Sequence, residues 1–111
     1  MKFERELLKG VAPVAVLRVL STGAMYGYEL GQAIEERSGK ILTLGHGTLY
    51  PLLYNLEAKG LVKAEWRDGE SGRRRRYYTI TGKGEKQLAA MTAELEMLQK
   101  AMGMVFSADT P

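Results

Sequence analysis

Four leucines between Gly45 and Gly60 constrain this chain more than any other feature. Leu49, Leu52, Leu53 and Leu56 fall at i, i+3, i+4 and i+7, the spacing of one apolar stripe on a helix. A glycine on each side of the stripe predicts a short amphipathic helix. Its opposite face carries Gly47, Pro51, Tyr54 and Ala58, flanked by Thr48, Tyr50 and Asn55, with almost no charge. Surface helices ordinarily place Lys and Glu there. A lysine-poor face of hydroxyl and amide groups suits a helix that lies against something, and suits base edges and phosphates in a major groove. A buried helix with a fortuitous polar side would show the same pattern, so the neighbouring segments must decide.

The chain has 111 residues, 45% hydrophobic and 26% charged, the size and balance of one domain with one modest core. Cysteine is absent, which excludes disulfides, thiolate metal sites and cysteine nucleophiles. His46 is the single histidine, so no His-rich metal site and no cofactor are expected. The carboxylates are scattered, and neither Ser71 nor His46 has a visible third partner, so catalysis is not expected. No apolar run approaches the roughly 20 residues of a membrane span, which points to a cytoplasmic protein without membrane contact. Net charge is only +3, but its distribution is uneven. Residues 1–60 hold seven basic and six acidic groups, residues 61–86 eight and four, and residues 87–111 one and three. Positive charge is thus concentrated just after the central helix.

In chain order, Phe3, Leu7 and Leu8 begin an apolar pattern that Gly10 and Pro13 interrupt, and Val14, Val16, Leu17, Val19 and Leu20 follow. This predicts a short entry helix and then a buried helix, with Pro13 in the first turn of the second. Ser21-Thr22-Gly23 ends it. Tyr26 to Arg37 predicts another helix with Tyr26, Leu30, Ala33 and Ile34 on one face, closed by Ser38-Gly39. Ile41 to Leu44 reads as an apolar connector or a stub of strand. The last two helices of this tri-helical unit then form a helix-turn-helix.

After Gly60 the period changes. Leu61 to Arg67 alternates at period two, Asp68-Gly69-Glu70-Ser71-Gly72 has turn composition, and Arg73 to Ile80 is rich in aromatic and β-branched residues. A hairpin is predicted. Arg76, Tyr78 and Ile80 share one of its faces, Arg75, Tyr77 and Thr79 the other. A basic run is commonly only solvated surface. Four consecutive arginines at a hairpin tip, beside a groove-compatible helix, favour phosphate contact, because guanidinium forks match phosphate oxygens. Arg73, Arg74 and Arg75 are the candidates, while Arg76 is expected to pack its stem on the domain.

Thr81 is a candidate N-cap for a last helix, although Gly82 and Gly84 weaken its first turn. Leu88, Met91, Leu95, Leu98, Met102 and Val105 follow at spacings of 3, 4, 3, 4 and 3. This heptad seam predicts a dimerisation helix over residues 81–106, with 107–111 a frayed tail and 1–80 the remaining domain.

Three motifs in order carry a resemblance: Tyr26-Gly27-Tyr28-Glu29-Leu30; Gly47-Thr48-Leu49-Tyr50-Pro51-Leu52-Leu53 with Leu56 to Val62; and Gly72 to Tyr78 with Ile80-Thr81 and Gly84. Together they resemble the PadR family of bacterial transcriptional regulators, over residues 7–88. The resemblance implies a mainly α fold with a small β-hairpin: a winged helix-turn-helix with a C-terminal dimerisation helix, as in the family's short subfamily. It also implies a homodimer on double-stranded DNA, repression at an inverted-repeat operator, and release by a small-molecule effector. Two positions depart from the family's pattern. Gly45 stands where Ser or Asn often caps the recognition helix. The last helix offers Leu95 and methionines, with no aromatic before Phe106, where some short members hold flat aromatic drugs. Trp66 lies in the wing strand, where the family commonly packs an aromatic.

The expected DNA contacts are Thr48, Tyr50, Pro51, Tyr54, Asn55, Arg73, Arg74 and Arg75, whereas Tyr28 and Tyr78 are expected in the core. A winged helix used for protein contact without DNA is the competing reading, since fold does not fix function.

Overall fold

The computed structural model describes residues 2–107. Its first helix, α1 (Arg5–Leu20), runs without a break through Pro13, so the two helices expected there are one. The proline removes one hydrogen bond and presses on the carbonyl of Lys9, at a cost of about 3 kcal/mol. Lys9 and Gly10 are exposed, so water can reach that carbonyl. On the other side Ala12, Val16, Leu17, Val19 and Leu20 are buried. Burial of large apolar side chains is worth about 1.5–3 kcal/mol each, which outweighs the proline.

Met25–Tyr26 form a two-residue strand, β1, followed by α2 (Gly27–Arg37). Leu30 and Ile34 point into the core from α2. Tyr28 does not: it is 57% exposed and its hydroxyl accepts a hydrogen bond from Gln32 one turn on. As the second residue of α2 it falls on the face opposite Leu30, a rotation the sequence motif conceals. Ser38 organises the turn that follows. Its Oγ accepts from the Leu42 amide at 2.9 Å, while Gly39 and Lys40 take left-handed φ of 64° and 65°. Ile41 to Leu44 therefore leads into the next helix as irregular chain rather than strand, with Leu44 buried.

The central helix is α3 (His46–Ala58), and its Leu49, Leu53 and Leu56 are buried, with Leu52 half-buried. Two strands follow, β2 (Val62–Asp68) and β3 (Arg74–Ile80), before α4 (Gly82–Ser107). They pair antiparallel with Val62 opposite Ile80 and Asp68 opposite Arg74. The other edge of β3 receives β1, giving the sheet order β1-β3-β2. The third strand thus comes from the segment whose pattern reads as the start of a helix.

Thr81 does cap α4. Its Oγ accepts from the Gly84 amide at 3.0 Å, and its hydroxyl donates to the Gly60 carbonyl at 2.7 Å. Gly84 is a packing requirement rather than a weakness: a Cβ there would overlap the Leu61 carbonyl oxygen and sit 2.8 Å from Ile80 Cγ1. Leu88 is only 8% exposed, and Met91 packs against the same core. Leu88 therefore belongs to the chain's own core rather than to a free seam, and Met91 is half-buried against it. Beyond Leu95 the helix leaves the domain, and the molecule measures 64 × 30 × 21 Å. The tail expected at 107–111 lies outside the described residues, apart from Ser107, which ends α4.

Candidate nucleic-acid interface

The outward face of α3 is built by default, because its leucines turn inward. Gly47, Thr48, Pro51, Tyr54, Asn55 and Ala58 are all exposed. Gly45 occupies the N-cap without a side-chain bond, and its carbonyl accepts from the Thr48 and Leu49 amides at 3.0 and 2.9 Å. The backbone alone closes the first turn. Tyr50 is only half-buried on this face. Its ring lies over Gly27, where any Cβ would collide with it, and His46 meets it edge-on at 5.4 Å. Tyr50 therefore fastens α3 to α2 as well as lining the surface.

The hairpin tip turns through Gly72, at φ 76°, with the Gly69 amide donating to the Arg73 carbonyl at 2.8 Å. Arg73 and Arg74 are exposed, and Arg75 is half-buried. Arg76 lies against the domain, its Nη2 2.8 Å from Glu57 Oε2. Glu57 is the one carboxylate in α3, and this ion pair ties the hairpin to the helix. Arg74 has only a loose, exposed partner in Asp68 at 3.8 Å. Such pairs are worth little.

Trp66 does not pack into the core. It stands opposite Arg76 in the register, 58% exposed, with the Arg74 guanidinium 5.9 Å from its ring. It shares a strand face with Val62 and Ala64, but at that point Tyr50 and Tyr54 of α3 border an open cleft rather than the core. Tyr50, Tyr54, Trp66, Arg74 and Arg75 line a cleft of about 340 Å³ between α3 and the hairpin. Asn55 lies on the other margin of α3, over a second cleft shared with Lys59, Lys83 and Gln87. Thus the hairpin arginines gather with the tyrosines of α3, while Asn55 looks toward α4.

Among the described residues, the displaced titration is that of Tyr78. Burial pushes its phenol above the ordinary value, opposed by the Arg76 guanidinium and assisted by Glu57. No group of three or more metal-ligating side chains occurs among the described residues. No helix among them is long and apolar enough to cross a membrane.

The model of the transcriptional regulator PadR-like family matches residues 16–90. The chain belongs to that family. A transcriptional regulator of Mycobacterium tuberculosis is 31% identical over 96 residues, 86% of this chain and 86% of that protein. A PadR-like transcriptional regulator from Bacillus cereus superposes with a TM-score of 0.81 at 27% identity, covering 94% of this chain and 99% of that one. A transcriptional regulator from Clostridium thermocellum gives 0.82 at 29% identity, covering 89% and 96%. The chain is thus a PadR-family transcriptional regulator with a winged helix fold, and membership implies DNA-binding regulation.

Three residues of this PadR surface lie outside the expected set of contacts: Tyr26, Glu57 and Trp66. The lone acid on an otherwise uncharged α3 was a readable signal for Glu57. For Tyr26 and Trp66 no local signal exists, since their neighbours are set by pairing with the distant strand β3.

Proposed function

We propose that the protein is a repressor that binds an inverted-repeat operator as a homodimer, with α3 in the major groove and the hairpin on the flanking backbone. Thr48, Pro51, Tyr54 and Asn55 would meet base edges or the groove wall, with Tyr50 at the margin. Arg73, Arg74 and Arg75 would neutralise phosphates. Residues 1–80 would form the DNA-binding unit and residues 81–106 the dimer arm, with Leu95, Leu98, Met102 and Val105 at the contact. A small-molecule effector would release the operator.

The observation that carries this reading is the shared cleft. Tyr50 and Tyr54 of the uncharged, outward helix face and two guanidiniums outside the Arg76–Glu57 pair, those of Arg74 and Arg75, border the same surface, with exposed Arg73 next to them in the chain. Protein contact would not require that combination of a neutral reading face and a cationic edge. The test is a salt titration of binding to an operator duplex and a scrambled duplex. Converting Arg73, Arg74 and Arg75 to Ala should weaken both equally and flatten the slope of log affinity against log salt by about 0.9 for each phosphate left without its guanidinium. An unchanged slope in a folded triple variant would make the arginines mere solvated surface.

A further inference from the structure

Tyr26 serves two elements at once. It stands at the N-cap of α2, where its amide donates to Glu29 Oε1 at 3.3 Å, and it pairs with Tyr77 as part of β1. The guanidinium carbon of Arg75 lies over its ring, 4.3 Å from the centroid. Tyr77 meets it edge-on at 5.4 Å and 71°, and Arg67 covers Tyr77 at 5.2 Å. Arg67, Tyr77, Tyr26 and Arg75 thus form a stack across all three strands.

Arg75 differs from its neighbours in how it is held. Arg76 is committed to Glu57 and Arg74 leans toward Asp68, but Arg75 has no carboxylate within 4.0 Å among the described residues. A carboxylate would orient a guanidinium by occupying its N–H groups and cancelling its charge. An aromatic face orients it through the ring quadrupole, leaving the charge and the edge donors available to fork a phosphate. Arg75 is therefore both held and unspent.

We propose that Tyr26 is a positioning residue, which presets Arg75 for a DNA phosphate and references it to the helix-turn-helix rather than to the hairpin tip. This rests on the reading that the hairpin arginines meet DNA. Ordering a long side chain during binding lowers affinity, and the stack carries out that ordering beforehand. Because Tyr26 caps α2, the preset guanidinium keeps its place relative to α2, and through Tyr50 over Gly27 relative to α3.

A double-mutant cycle on operator affinity tests this, with salt slopes recorded for each variant. Tyr26→Leu should weaken binding about two- to fivefold per half-site with the slope unchanged, since the phosphate contact survives. Tyr26→Phe keeps the ring and should bind as wild type. Arg75→Ala should lower the slope by about 0.9 per subunit, and in that background Tyr26→Leu should add no further loss. Arg75→Lys keeps the charge and slope but stacks poorly, and should match Tyr26→Leu. That arm still reads if Tyr26→Leu fails to fold. Wild-type affinity for Tyr26→Leu or Arg75→Lys, or additive losses in the cycle, would overturn the proposal. An Arg75→Ala protein with unchanged affinity and slope would take Arg75 out of the DNA contact and this proposal with it, while the hairpin contact as a whole falls only if the triple Arg73, Arg74 and Arg75 variant also keeps its slope.

Discussion

Gly82 and Gly84 stand two residues apart in the first turn of α4 and have opposite meanings. Nothing lies within 4 Å of a Cβ built on Gly82, whereas one on Gly84 runs into the Leu61 carbonyl. Gly82→Ala should raise stability by up to about 1 kcal/mol, because the unfolded chain loses freedom. Gly84→Ala gains the same helix propensity but must displace backbone, and overpacking of this kind costs about 1–3 kcal/mol. Urea denaturation of the pair should move the midpoint in opposite directions. Tyr78 supplies a second test at this scale. It is 3% exposed and burial raises its pKa. Above about pH 10 the unfolded tyrosine loses its proton before the folded one does, so the unfolded state then binds fewer protons. Stability from this group is full below the unfolded value and declines as pH rises through the raised folded value. Tyr78→Phe should flatten that alkaline decline, measured as denaturation midpoint against pH from about 8 to about 11.

At the scale of elements, the hairpin is held from three directions. β1 pairs along one edge of β3, Glu57 of α3 grips Arg76, and Thr81 returns the chain to Gly60 and Leu61 at the base. An isolated two-stranded hairpin is marginal in water. These attachments give the arginine tip a defined position beside α3, which a free loop of the same composition would lack. The helices show the same dependence on neighbours. α1 tolerates Pro13 because five of its residues are buried, and α3 accepts a glycine cap because its leucines anchor it. In each case tertiary burial exceeds the local penalty.

For the molecule as a whole, the decisive feature is the far half of α4. A 26-residue helix is about 39 Å long, and only its first turns pack on the domain. Leu98, Met102, Val105 and Phe106 are 57%, 41%, 63% and 72% exposed, an apolar patch that a second copy would cover. Two copies related by a twofold axis would present two α3 helices to half-sites about one helical turn of DNA apart. Leu98→Asp with Met102→Asp places like charges at such a contact without touching the chain's own core. The expected outcome is a folded monomer with weakened operator binding, read by sedimentation and by far-ultraviolet circular dichroism. A folded double variant that still sediments as a dimer would refute the seam.

The periodicities by themselves determined the helix at the centre, the hairpin after Gly60 and the long last helix, because apolar spacing at the helical or the strand period admits few arrangements that bury it. They likewise marked Leu49, Leu53 and Leu56 as the inward face of α3 and left its neutral side outward. What they could not determine was which of several adequate partners each segment would choose. Met25–Tyr26 became a strand because β3 offered an unpaired edge. Leu88 and Met91 joined their own core because the cap at Thr81 aims α4 back across α1. Trp66 stayed outside because its end of the hairpin borders an open cleft beside α3, and Tyr26 came under Arg75 because antiparallel register sets residues far apart in sequence side by side. These are choices among non-local contacts, made by the summed burial of the whole chain, and no local pattern encodes them.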